Sequence, residues 1–207
     1  MKIMKFGGTS VGKPERMHQV RELITRDNEP KIVVLSALSG TTNTLVSIGE
    51  ACAQGEKVRA KEVIDQLEAH YRSFVQELLK PGPARDKANG IVSEHFEFLN
   101  IILKISFNEA LNKDILAQGE LLSTKLFSCY LEQEGLTYKL LPALEFMSID
   151  SYDEPQIGSI KVRLGMLLEE YKETPLFITQ GYICRNAKGE IDNLKRGGSD
   201  YTASLVA

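Results

Sequence analysis

KIMKFGGTSVGKP, residues 2–14, is the stretch on which the reading of the fold turns. Ile3, Met4 and Phe6 make a short apolar run that reads as a strand, Gly7 and Gly8 end it, and Pro14 opens a helical pattern. Strand, glycine turn and helix start suit a phosphate. Glycines let backbone N–H groups approach an anion with no Cβ in the way, and a helix start presents its positive end. Lys5, near the end of the strand, adds a point charge beside those amides. Residues 7–13 fit most of a P-loop, G-x-x-x-x-G-K-[ST], but position 14 is proline. Pro14 has no hydroxyl for magnesium, and it fits as the first residue of a helix, where a missing N–H costs nothing. The stretch is therefore a phosphate-binding turn of another kind, with Lys5 rather than Lys13 as its cation.

Outward from that turn, Met17, Val20, Leu23 and Ile24 recur at helical spacing and predict a helix over 14–26. Residues 31–35 carry IVVL, a run typical of a parallel strand buried on both faces. Residues 36–43, SALSGTTN, form a small-residue loop at its carboxyl end, where open α/β sheets place ligands, and a helix resumes near Leu45. Val63, Leu67, Phe74 and Leu78, then Val92, Phe96, Leu99 and Leu103, mark two amphipathic helices separated by the PGP at 81–83. They read as a helical pair inserted over about 56–107, with packing as its role. A further helix is expected over 118–134 with Gly135 as its stop. Strands are expected near 138–141, 146–149 and 175–179, a helix from Ile157 to Leu168, and a hairpin within 182–194. Ser199 opens a last helix. The alternation argues for an α/β sandwich with a mostly parallel sheet.

The 207 residues suffice for one domain with a full core. Lys and Arg number 25 against 28 Asp and Glu, a net charge of −3, which leaves no basic footprint for nucleic acid. Cys52, Cys129 and Cys184 are scattered and odd in number, forming neither a CxxC pair nor a disulfide framework, so a reducing compartment is expected. No run approaches membrane-spanning length, and the start lacks a signal-peptide core. A cytoplasmic protein with no membrane or nucleic-acid partner follows as the expectation. No His, Cys or Asp spacing suggests a resident metal, so none is assigned.

Lys5-Phe6-Gly7-Gly8-Thr9-Ser10-Val11 resembles the opening signature of the aspartokinases, within the amino-acid-kinase family. Three later segments resemble that family in the same order. They are the 36–43 loop (VLSA-x-SG-x-TN), Gly119-Glu120 with Ser123 (GE-x-x-S), and residues 196–203 (RGGSD-Y-T-A). One departure stands beside the last: the family usually has glycine before RGGSD, often preceded by Thr-Thr-Leu, where this chain has Asp192-Asn193-Leu194-Lys195. The resemblance implies a three-layer αβα sandwich of the amino-acid-kinase or carbamate-kinase type. Residues 1–207 would be the N-terminal portion of the catalytic domain, with the rest of the nucleotide-binding half and the ACT regulatory domains outside it. A fragment of that kind is expected to turn over weakly or not at all.

The chemistry can be read from the residues. In-flight γ-phosphoryl charge sits on peripheral oxygens, and catalysis of its transfer is mostly positioning and charge stabilisation. Gly7, Gly8 and Thr9 offer backbone N–H groups, Ser10 a hydroxyl and Lys5 a charge, with Ser36 of the second loop counted on the same phosphate side. A carboxylate acceptor, with an ordinary pKa of about 3.9, is already ionised and needs no general base. That agrees with three histidines in no catalytic motif.

The resemblance implies the finer roles. Arg196 would grip the substrate carboxylate, Glu120 the α-ammonium, and Thr42 a carboxylate oxygen. Gly197, Gly198, Ser199 and Asp200 would complete the amino-acid site, with Lys5 and Asp200 the catalytic pair. The implied reaction takes ATP and L-aspartate to 4-phospho-L-aspartate and ADP, the entry to lysine, threonine and methionine synthesis. Mg2+ would arrive with the nucleotide, and the parent enzyme would be a homo-oligomer. Another amino-acid kinase, or a non-catalytic amino-acid- or nucleotide-binding module, remains the alternative.

Overall fold

The computed structural model describes residues 1–195 and 197–207. Four strands, β1 (Lys2–Phe6), β2 (Lys31–Leu35), β3 (Lys139–Leu141) and β4 (Leu176–Gln180), form a parallel sheet in the order β1-β2-β4-β3. Lys5 stands level with Val34, and Val34 with Thr179, so the strands end together. All five residues of β2 and of β4 are buried, as central strands covered on both faces must be.

Alternation along the strands assigns the two faces. Met4, Phe6, Val33, Leu35, Leu140, Leu176 and Ile178 join the larger core. Over it lie α2 (Pro14–Ile24), α3 (Thr41–Ala53), α4 (Lys57–Leu78), α5 (Pro83–Ile102) and α6 (Glu109–Gln133). Ile3, Ile32, Phe177 and Leu141 face the other way. They pack with α7 (Ala143–Phe146), α8 (Ile157–Glu170) and the antiparallel hairpin β5 (Ile183–Arg185) and β6 (Ile191–Asn193). A final helix, α9 (Gly198–Val206), lies against β1 and β2. Helices, sheet and helices make the α/β sandwich expected from the alternation, in the three αβα layers that the resemblance implies. Lys5 falls on the α9 face, in phase with Ile3.

The elements depart from expectation at four places. The turn after β1 is itself one helical turn, α1 (Gly8–Val11), closed by Ser10 N–H donating to Gly7 O. α3 starts at Thr41 rather than near Leu45, because Gly40 adopts φ 85° and ends the loop sooner. α6 starts at Glu109, not 118: the Asn108 side chain accepts from Leu111 N–H at 2.9 Å and caps it. Residues 146–149 are not a regular strand. Phe146 closes α7, while Ser148 and Ile149 make single bridges to Arg185 and Pro155.

Among the described residues, no helix is long and apolar enough to cross a membrane.

Candidate active site

The carboxyl ends of β1, β2 and β4 open on a cleft of about 770 Å³. Three loops and the starts of two helices wall it. Lys5, Gly8, Thr9, Ser36, Thr42, Glu120, Gly197, Gly198, Ser199 and Asp200 all line it. Gly7 and Ser10 sit on the same turn but do not line the cleft. Arg196 lies outside the described residues.

Lys5 reaches the cleft because it is one residue from the end of β1 and points to the α9 side. Its ammonium meets Asp200 Oδ1 at 2.9 Å. Lys5 is mostly buried and Asp200 mostly exposed, so the pair lies at the cleft wall with one partner in water. The start of α9 comes this close because of glycine. Gly197 sits at φ 82°, and a Cβ on Gly198 would stand 2.8 Å from the Tyr182 ring and 2.9 Å from Leu194 Cβ. Ser199 makes no capping bond there; Gly197 occupies the cap position.

Glu120 comes from the opposite side, on α6. A Cβ on Gly119 would meet Ala37 Cβ at 2.8 Å, so its absence lets α6 press against the second loop. Two bonds use that approach: Ala37 N–H donates to Glu120 Oε1 at 3.2 Å, and Ser123 Oγ donates to Ser36 O at 2.7 Å. The Gly-Glu-x-x-Ser pattern thus has a mechanical meaning. Glu120 is 3% exposed, and its Oε2 has no hydrogen-bond partner among the described residues. Burial pushes its carboxyl up to about 8, against a smaller opposing effect of the Ala37 N–H. A buried carboxyl with one unpartnered oxygen, on a residue that lines a cleft, is suited to a cationic ligand group.

Thr42 stands in the first turn of α3. Its neighbour Thr41 shares a 3.1 Å hydrogen bond with the hydroxyl of Tyr71, wholly buried on α4. The α4–α5 pair therefore braces the helix that carries Thr42. Behind β4, Gln180 Nε2 donates to Thr124 Oγ1 and Gln180 Oε1 accepts from Ala143 N–H, both at 2.8 Å, so the strand end is tied to α6 and α7.

Tyr182 and Lys113 line the cleft outside every motif of the sequence, and Asn193 and Lys195 lie in the departure at 192–195. Tyr182 has φ 69°, rare for a non-glycine residue, in a tight turn closed by Ile183 N–H to Gly181 O at 2.7 Å. Its N–H is held by Thr202 Oγ1 at 3.1 Å. Burial, with the Glu120 and Asp192 carboxylates nearby, pushes its phenol up to about 12. Asn193, on β6, is nine-tenths buried, and neither Oδ1 nor Nδ2 has a partner among the described residues. An amide buried this way costs roughly 1–3 kcal/mol. Lys113 lines the same wall and pairs with Asp192 at 2.8 Å, and Lys195 stands at the exposed edge. The only sequence signal was the departure at 192–195 from the run usual before RGGSD.

No group of three or more His, Cys, Asp or Glu among the described residues could hold a metal.

A parallel αβα sandwich with a polar cleft at its strand ends, cationic at Lys5 and with a Glu120 oxygen that has no partner among the described residues, defines an α/β protein whose candidate ligand site lies at the strand ends. Comparison with known proteins makes this specific: the chain belongs to the amino acid kinase family, whose model matches residues 1–207. It is 30% identical over 208 residues to lysine-sensitive aspartokinase 3 of Escherichia coli K12, covering 99% of this chain and 45% of that protein. It is 33% identical over 217 residues to the chloroplastic aspartokinase 2 of Arabidopsis thaliana, covering 99% and 39%. The solved structure of E. coli aspartokinase III in complex with aspartate and ADP superposes with a TM-score of 0.85 at 29% identity, over 100% of this chain and 46% of that one. The chain thus spans less than half the length of these relatives.

Proposed function

We propose that the chain carries the acceptor and phosphate side of an ATP-dependent aspartate kinase. The carrying observation is the pairing, in one cleft, of the Lys5 cation with the vacant, buried Glu120 Oε2. An amino acid with a second carboxylate has the complementary charges: an ammonium for Glu120 and an acceptor oxygen for the phosphate turn. That a relative of 0.85 TM-score is solved with aspartate and ADP supports the same reading.

The attacking β-carboxylate oxygen is ionised at neutral pH, so no base is required. Lys5 and the amides of Gly8 and Thr9 offset the charge on the phosphoryl oxygens, with Ser36 of the second loop beside them and Gly7 and Ser10 shaping the turn behind. Asp200 holds the Lys5 ammonium at the cleft wall. Thr42, Arg196 and Ser199 complete the grip on the amino acid, with Gly197 and Gly198 shaping the loop. The nucleotide is the phosphoryl donor and brings Mg2+ with it. The product is 4-phospho-L-aspartate, the first intermediate towards lysine, threonine and methionine. The protein acts in the cytoplasm as a homo-oligomer.

Calorimetric titration with L-aspartate and with ATP, beside an ADP-release assay over L-aspartate, L-glutamate, uridylate and carbamate, tests the proposal. Because the chain spans less than half of its relatives, weak aspartate-dependent ADP release is expected. Release with another acceptor alone supports a different member of the family, and binding of aspartate without release supports a non-catalytic module.

A further inference from the structure

Asn193 is the one side chain lining the cleft whose donor and acceptor are both buried and both without a partner among the described residues. It is placed by the hairpin: Asn193 stands opposite Ile183 in the β5–β6 ladder, and its own N–H is taken by Asp192 Oδ1 at 2.7 Å. β6 packs on α6, the helix that carries Glu120, so the two groups with vacant buried oxygens belong to adjoining walls. An amide presents a donor and an acceptor on one flat group. With no partner for either atom among the described residues, the amide gains nothing from them in the empty cleft, and leucine of similar size would cost less there.

We propose that Asn193 is a specificity-determining residue that reads the amino-acid substrate. Nδ2 donates to a carboxylate oxygen of the substrate, and Oδ1 accepts from the ammonium group that also meets Glu120. The inference rests on the aspartate reading of the same cleft and adds to it a residue that selects for a zwitterion over a plain dicarboxylate.

The test compares Asn193→Leu with the unsubstituted chain by calorimetric titration of L-aspartate and of succinate, which lacks the ammonium. Asn193→Leu is expected to keep or raise the melting temperature, since a vacant buried amide is removed. L-aspartate affinity should weaken about 10- to 100-fold. The L-aspartate to succinate affinity ratio should fall about tenfold, a change that a merely structural disturbance, weakening both ligands alike, would not produce. If Asn193→Leu does not fold, Asn193→Ser is read by the same ratio. Unchanged L-aspartate affinity, or an unchanged ratio, overturns the inference while leaving the aspartate reading intact. Failure of the unsubstituted chain to bind L-aspartate overturns that reading and the inference with it.

Discussion

The Lys5 ammonium and the Asp200 carboxylate meet at 2.9 Å, joining the first strand of the sheet to the last helix at the cleft wall. The pair is half in water, so it contributes little to stability, on the order of 0–1 kcal/mol. In the proposed reaction it holds a cation where the phosphate comes.

Lys5→Met should therefore separate function from folding. Turnover is expected to fall on the order of 10²–10³-fold, the usual loss for one preorganised group facing developing charge. Urea denaturation should show a change within about 1 kcal/mol. Asp200→Asn should keep the cation but free it, lowering turnover less than Lys5→Met. Steady-state kinetics with ATP varied checks both.

Glu120 predicts a proton signature. Its folded carboxyl sits at about 8 against an ordinary 4.5, so at pH 7 it is largely protonated in the empty cleft. An ammonium ligand favours the ionised form, so binding of L-aspartate near neutral pH should release protons and should tighten as pH rises towards 8. Calorimetry in two buffers of different ionisation enthalpy measures the release. The same shift bears on stability. Between 4.5 and about 8 the folded state binds more protons than the unfolded one, so this group's effect is to lower stability as pH rises through that window. Glu120→Gln should abolish the proton release and the slope together, and weaken aspartate binding at least tenfold.

The contact between α6 and the second loop can be tested by volume. Gly119→Ala places a Cβ 2.8 Å from that of Ala37 and should destabilise the fold by about 1–3 kcal/mol. Ala37→Gly in the same chain should recover most of that loss. Denaturation of the two single variants and the double variant gives the coupling between them.

His95 predicts an acid-side effect unrelated to the cleft. Gln118 Nε2 donates to Asp114 O, which fixes Gln118 Oε1 as acceptor of the His95 Nδ1–H at 2.6 Å. Lys125 Nζ then donates to His95 Nε2 at 2.9 Å. Burial, with the Lys125 charge next, pushes the imidazole down to about 4. The unfolded chain binds the extra proton between about 4 and 6.5, so stability should fall as pH drops through that window. Urea denaturation from pH 7 to 4 should show this slope, and His95→Gln should flatten it.

The sheet was legible because its strands announce themselves: β2 is apolar throughout, and the glycine pair after β1 marks where a strand must stop. The cleft was legible as motifs, since Lys5, Thr42, Glu120 and Asp200 stand in short patterns. What those patterns do not show is why they have that form, as with Gly119, whose role exists only against Ala37 some eighty residues away. Asn193 and Tyr182 carry no local pattern. They reach the cleft because the hairpin folds back under α9, a tertiary event. The α6 start was misplaced because one capping side chain, Asn108, recruits nine residues that show little helical stripe of their own. The strand expected at 146–149 failed because apolar residues over a short run fit a buried helix end equally well.

Trapping the product tests the aspartate kinase assignment most directly. An acyl phosphate reacts with hydroxylamine to give a hydroxamate and inorganic phosphate, whereas simple ATP hydrolysis gives inorganic phosphate but no hydroxamate. With ATP, Mg2+ and hydroxylamine present, the protein should form aspartyl hydroxamate in proportion to added L-aspartate, and Lys5→Met should not. ADP release without hydroxamate, or hydroxamate formed from L-glutamate but not from L-aspartate, would contradict the assignment of this cleft.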